Sequence, residues 1–220
     1  MTTQTVTGAT GHTADPELRA RIRDVAIEQF GRHGFDTNLQ AIAAAAGVSP
    51  QSVTDHFGSE AGLLKACDEY ILESIRISKS EALQSTSPAP ASAQLAQIES
   101  YAPMMTYLVR DMQSGGELGR SLMRQMIDNA EQYLEDGVRA GTIKPSRDPK
   151  ARAAFLAMSG AGGFLFYLHM HDNPTDMAAV LRDYSRDMLL PALELYGHGL
   201  MTDSTMYDAF LASAATPGNS

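Results

Sequence analysis

Residues 37–57 read Thr-Asn-Leu-Gln-Ala-Ile-Ala-Ala-Ala-Ala-Gly-Val-Ser-Pro-Gln-Ser-Val-Thr-Asp-His-Phe, and they spell two short helices with a turn between them. Thr37 and Gln40 form a capping box, the hydroxyl accepting from a first-turn amide while the Gln reaches back. Leu39, Ile42, Ala43 and Ala46 then recur at helical spacing. Gly47 supplies the left-handed position that ends the first helix. Ser49 caps the second, with Pro50 at its first position, where a missing N–H is harmless. Val53 is the main apolar residue of that helix, and Gln51, Ser52, Thr54, Asp55 and His56 make the rest of it polar. A short helix held by one apolar face, with hydrogen-bonding side chains on the other, is what reading base edges in the major groove requires. The stretch predicts a helix-turn-helix, and through it contact with double-stranded DNA.

The flanks read as helix too. Asp15-Pro16-Glu17 opens a helix with an N-cap, a first-position proline and an acid on the dipole. Leu18, Ile22, Val25, Ala26 and Phe30 are its buried stripe, and Gly34 ends it. After Phe57, Gly58-Ser59 introduces a long helix over 60–83, with Leu63, Leu64, Cys67, Tyr70, Ile71 and Ile75 on one side. Ser-Thr-Ser-Pro-Ala-Pro-Ala-Ser at 85–92 then reads as a linker. Gly115-Gly116, Gly141 with Pro145, and Asn173-Pro174 divide the remainder into helices near 94–113, 117–140, 148–171 and 175–196. Pro103 stands where it would kink or split the first of these, and 202–213 reads as a terminal helix. Alternating β-branched runs are missing, so the fold class is all-α.

The expected organisation is a disordered tail over 1–14, a DNA-binding domain over 15–58, an effector-binding and dimerisation domain over 59–213, and a disordered end over 214–220. The single Cys67 excludes a disulfide within the chain and any Cys-based zinc cluster, and with no signal peptide it points to the cytoplasm. No apolar run approaches a membrane span, so no membrane partner is expected. The net charge of −9 is unusual for a DNA-binding chain. Between Asp15 and Lys65, Arg19, Arg21, Arg23, Arg32 and Lys65 stand against Asp15, Glu17, Asp24, Glu28, Asp36, Asp55 and Glu60, so counterion release contributes little to affinity.

These features resemble the tetracycline-repressor (TetR) family of transcriptional regulators. The resemblance is carried by Ala26, Phe30, Gly34 and Phe35, the Ile42-Ala43, Ala45 and Gly47-Val48-Ser49 positions, His56-Phe57 and Leu63-Leu64. Ala140-Gly141-Thr142-Ile143 and Asp148-Pro149 look like the family's junction before its dimerisation helices. The resemblance implies a homodimer whose second motif helix is the recognition helix, and a C-terminal domain that holds a small effector. Ser49, Gln51, Ser52, Thr54 and His56 then become candidates for base or phosphate contact, and Thr37 for phosphate. The chain departs from the family where Thr54 and Asp55 replace common aromatics, and where Glu60 stands near a usual lysine.

All methionines but Met1 lie from Met104 onward. Met104, Met105, Leu108, Met112, Met123 and Met126 are candidate lining for an adaptable apolar effector cavity, together with Phe155, Met158 and Phe164. A loosely specified core accounts for the same residues. Ser159-Gly160-Ala161-Gly162-Gly163 interrupts a helical segment, which fits close helix approach across a dimer, room for a ligand, or a kink. His169 and His171 diverge on a helix and make no joint metal site; no metal or cofactor is expected. Catalytic spacings and nucleotide motifs are missing, so an enzyme is not expected. The reading is a ligand-responsive regulator, more a repressor than an activator, on a pseudo-palindromic operator. Its rivals are the same fold with lost DNA affinity, serving as a binding module, and an all-α enzyme.

Overall fold

The computed structural model describes residues 15–85 and 97–215, and every regular element among them is helical. Helices α1 (Pro16–His33), α2 (Leu39–Ala46) and α3 (Pro50–Phe57) precede the long α4 (Glu60–Gln84). Then come α5 (Ala102–Ser114), α6 (Gly116–Ala140), α7 (Pro149–Met170), α8 (Met177–His198) and α9 (Thr205–Ala215).

Local chemistry sets the ends of the first four. Asp15 accepts from the Glu17 amide at 3.0 Å, with Pro16 at the first helical position. The cap of α2 is Asn38, which accepts from the Ala41 amide at 2.9 Å, and not Thr37 as expected. Thr37 is diverted because its hydroxyl donates to the Gly34 carbonyl at 2.7 Å, closing the loop between α1 and α2. Gly47 ends α2 in the left-handed region at φ 67°, and Ser49 accepts from the Ser52 amide at 3.1 Å to start α3. Ser59 caps α4 through the Gly62 amide at 3.1 Å. A Cβ on Gly62 would fall 2.0 Å from the Phe57 carbonyl oxygen, so only glycine lets α4 leave α3 at this angle.

One core runs through both expected domains. Ile22, Ala26 and Phe30 of α1, Ile42 of α2 and Val53 of α3 pack with Leu63 and Ile71 of α4, Tyr107 of α5 and Leu122 of α6. A second cluster joins Val109 of α5 to Phe164 and Leu168 of α7 and Val180 of α8. A third, smaller one joins Ala130 and Leu134 of α6 to Ala153 of α7.

The helix expected over 94–113 is divided: residues 97–100 are helical, a turn falls at Tyr101, and α5 begins at Ala102 with Pro103 in its first turn. Pro103 cannot donate to a preceding carbonyl, which makes it a starter of the second piece. Pro191, by contrast, lies inside α8. Helix α9 reaches Ala215, two residues into the expected tail; the tail at 1–14 and most of the linker fall outside the described residues.

The outer helices leave much apolar surface uncovered. Phe155, Met158, Phe166 and Met170 of α7 and Leu190, Leu193 and Tyr196 of α8 are all exposed. The three α7 glycines lie within one continuous helix, and a Cβ on any of them would meet nothing within 4 Å. By length and composition α7 could cross a membrane, which corrects the expectation that no segment approaches such a span; only 17% of its most apolar window is buried within the chain. The span is masked in the sequence because Gly, Ser and His interrupt a helix that carries no charge after Arg152.

Candidate nucleic-acid interface and effector layer

Helix α3 is anchored by Val53 and Phe57, both buried, which turns Gln51, Thr54 and Asp55 to solvent. Ser52 and His56 are half-buried at the edges of that face, and Ser49 is exposed at its start. The Gln51 side-chain amide donates to Asp55 Oδ1 at 2.8 Å, so the acid holds the Gln in one orientation. The Thr54 hydroxyl donates back to the Pro50 carbonyl at 3.1 Å. Nδ1 of His56 is buried without a partner among the described residues. Thus Ser49, Gln51 and Thr54 are presented together, while Thr37 and His56 are turned partly inward.

Two of the three arginines at the start of α1 lie over aromatic rings, while Arg21 is exposed. The Arg19 guanidinium lies 4.6 Å from the centre of the Phe57 ring, and that of Arg23 lies 3.4 Å from the Tyr70 ring. Arg23 is also paired with Asp24 at 2.7 Å. Glu60 occupies the first turn of α4 next to this face, where a carboxylate suits the helix dipole.

What ties the reading face to the rest of the chain is α5. Arg110 donates to the carbonyls of Gly31 at 2.7 Å and Arg32 at 3.1 Å, satisfying the open end of α1. The Tyr107 ring packs edge-on against Phe30 and Phe35, with centroids 6.4 and 5.1 Å away. A Cβ on Gly31 would sit 3.1 Å from the Tyr107 amide nitrogen, so this crossing is as close as glycine permits. The Tyr107 hydroxyl donates to Asp68 of α4 at 2.6 Å. One turn further along α5, Asp111 is fully buried, and neither of its carboxylate oxygens has a partner among the described residues.

Burial, and then the nearby Asp68, push the Asp111 carboxyl up to about 6. Burial also raises Asp68, opposed by the bond from Tyr107. A carboxyl whose folded value lies above its unfolded one adds stability that is complete below about pH 4. That stability is lost as the pH rises through about 6. Asp111→Asn, neutral throughout, should therefore stabilise the protein at pH 8 by on the order of 1–2 kcal/mol. The gain should shrink to about a third near pH 4.5, as checked by urea unfolding at both values. An equal gain at both would show that charge on Asp111 is not the cause.

The expected effector residues divide. Met104, Met105, Met112 and Met126 are half-buried around the Tyr107–Leu122 core, and Leu108 is inside it. Met105 and Met112 also pack on the cluster that contains Phe164. Phe155 and Met158 are not part of this layer: at 66% and 62% exposed they lie on the open face of α7, and Met123 is exposed on α6. Periodicity could not separate them, because an apolar helix with two apolar faces gives the same pattern for both. The cleft beside the layer is polar. It has a volume of about 330 Å³ between α4 and α6, lined by Glu69, Leu72, Glu73, Gln125, Asp128 and Asn129. Sequence reasoning passed over Asp68 and Asp111. Their signal was available: Leu64, Asp68 and Leu72 share one helical stripe, as do Tyr107 and Asp111, so each acid sits at a core position.

Residues 22–67 match the model of the bacterial regulatory proteins of the tetR family, and residues 99–202 match that of the tetracyclin repressor-like C-terminal domain. The chain belongs to the TetR family, and with its exposed recognition helix it is a helix-turn-helix transcriptional regulator. It is 64% identical over 201 residues to the HTH-type transcriptional regulatory protein RaaS of Mycobacterium tuberculosis, across 91% of this chain and 95% of that one. Among solved structures, a transcriptional regulator of the TerR/AcrR family from Aquifex aeolicus VF5 has a TM-score of 0.54 at 19% identity, covering 80% of this chain and 99% of that one. FadR from Bacillus subtilis, in complex with stearoyl-CoA, has a TM-score of 0.52 at 19% identity over 83% of this chain and 99% of that one. These two share the fold.

Proposed function

We propose that the chain acts as a cytoplasmic homodimeric repressor that binds a pseudo-palindromic operator and releases it when a small, mainly apolar molecule enters the α4–α5–α6 layer. The carrying observation is the continuous path from α3 through the shared core to Tyr107 and Arg110. Two recognition helices on a two-fold axis must lie about 34 Å apart, or a multiple, to enter successive major grooves. A ligand that shifts α5 against α1 changes that spacing, and a few kcal/mol of preference for the shifted state empties the operator. Ser49, Gln51, Ser52 and Thr54 are the residues for base and phosphate contact, with Thr37 and His56 at the margin. The half-buried Met105, Met112 and Met126 supply the adaptable apolar wall. The reading in which the fold has lost its DNA is not favoured, since the 64% identical relative bears a regulator's name. A gel shift over a salt series, on DNA flanking the protein's own gene, tests the proposal; no shift at low salt would remove it.

Glu60 sharpens that test. Beside a duplex its charge opposes the phosphates and holds back one counterion. Glu60→Lys should strengthen binding on any sequence and steepen the salt slope by about one. Its effect on the helix should stay within about 1 kcal/mol, from the lost dipole interaction. Gln51→Ala should instead relax sequence preference with the slope almost unchanged. An unaltered slope in Glu60→Lys would mean that α4 does not meet the backbone.

A further inference from the structure

Asp111 is placed where a negative charge is disfavoured three times over. It is 0% exposed with both oxygens unpartnered among the described residues. It lies in the last turn of α5, at the negative end of the helix dipole. It also feels the charge of Asp68, itself buried on α4, and no ion pair joins either acid to a basic residue among the described residues. A carboxylate so placed needs a positive partner. The acidic character continues outward: Glu69 follows Asp68 directly, and with Glu73 and Asp128 it lines the cleft between α4 and α6.

We propose that this layer recognises an organic cation, an apolar molecule whose single ammonium group is held by Asp111 and Asp68 beside the Tyr107 hydroxyl, with its body against Met105, Met112 and Met126. The inference rests on the effector reading above and adds to it the charge of the ligand. A bare metal ion does not fit, because two carboxylates amid methionine and leucine fall short of the oxygen-rich shell such an ion takes. The ammonium gains from each of the three effects that disfavour the empty acid. Movement of Asp111 toward it would carry Tyr107 and Arg110, and through them Phe30, Phe35 and the end of α1.

The test uses the full chain and three probes with one tail: dodecylamine, dodecanol and dodecanoate, titrated calorimetrically below micelle formation at pH 7.5. The amine should bind at least about tenfold more tightly than the alcohol, and the carboxylate most weakly. Because the chain's net charge of −9 attracts any cation, the decisive arm is Asp111→Asn, which should bring the amine down to the alcohol while leaving the alcohol unchanged. Asp111→Glu should keep part of the preference. An amine no tighter than the alcohol, an advantage that survives Asp111→Asn, or no binding of any probe would overturn the proposal. If circular dichroism showed Asp111→Asn misfolded, the wild-type ranking and Asp68→Asn decide. Release of operator DNA is read in parallel. Binding in the expected order without release would uphold the site and defeat the effector reading. Release by amine and alcohol alike would do the reverse.

Discussion

The double variant Phe166→Asp with Leu193→Asp is expected to sediment as a monomer at micromolar concentration, where the unaltered chain should be a dimer. Both side chains lie on the uncovered faces of α7 and α8, at 71% and 56% exposed, so neither supports the fold of a single subunit. Helicity and the inner core should therefore survive. Burial of such a side chain is worth about 1.5–3 kcal/mol, and two-fold symmetry applies each loss twice. The aspartates add the penalty of bringing unpaired carboxylates into an apolar contact. Gly160, Gly162 and Gly163, open on their Cβ side, would allow a second copy's backbone to come close. Operator affinity should fall with the dimer, because half-sites are then bound singly. A variant that still sedimented as a dimer would move the contact off these helices.

Tyr107→Ala should be the most damaging single change to stability, by about 3–5 kcal/mol. It empties a fully buried position between Phe30, Phe35 and α4, and strips Asp68 of its hydroxyl donor. With total stabilities of about 5–15 kcal/mol for domains of this kind, much of the margin disappears. Tyr107→Phe separates the two contributions. It keeps the ring packing and loses only the bond to Asp68, at about 1–3 kcal/mol. Thermal unfolding of the pair gives the comparison. If Tyr107→Phe were as harmful as Tyr107→Ala, the junction would depend on the hydroxyl and not on packing against α1.

The helix-turn-helix was legible because every signal in it is local. Ser49, Pro50 and Gly47 act within one turn of where they stand, and Val53 and Phe57, one turn apart, orient α3. Even there a neighbour could intervene: Thr37 has the right chemistry for a cap, but the Gly34 carbonyl claims its hydroxyl and leaves the role to Asn38. The basic residues show the same limit at longer range. Counting charges from Asp15 to Lys65 gave only a balance unfavourable to phosphate, and could not show that Arg19 and Arg23 lie over rings from α3 and α4.

The candidate effector layer was half legible. Helical register and composition put the methionines of α5 and α6 into an apolar layer, and Met105, Met112 and Met126 do lie in one. Register alone could not tell that layer from the outer face of α7, where Phe155 and Met158 stand, since both are apolar stripes of the same period. Nor could it weigh two acids set within such stripes.

The sequence by itself therefore determined the all-α class, the caps and turns of the reading head, and its family, because caps, breakers and apolar periodicity act over a few residues. Tertiary structure decided which apolar stripes meet each other and which remain open, where the arginines of α1 are used, and that Asp68 and Asp111 come together beside Tyr107. Those outcomes depend on how α1, α4 and α5 cross, with Gly31 permitting the close approach, and a crossing of helices far apart in the chain is written in no single stretch of it.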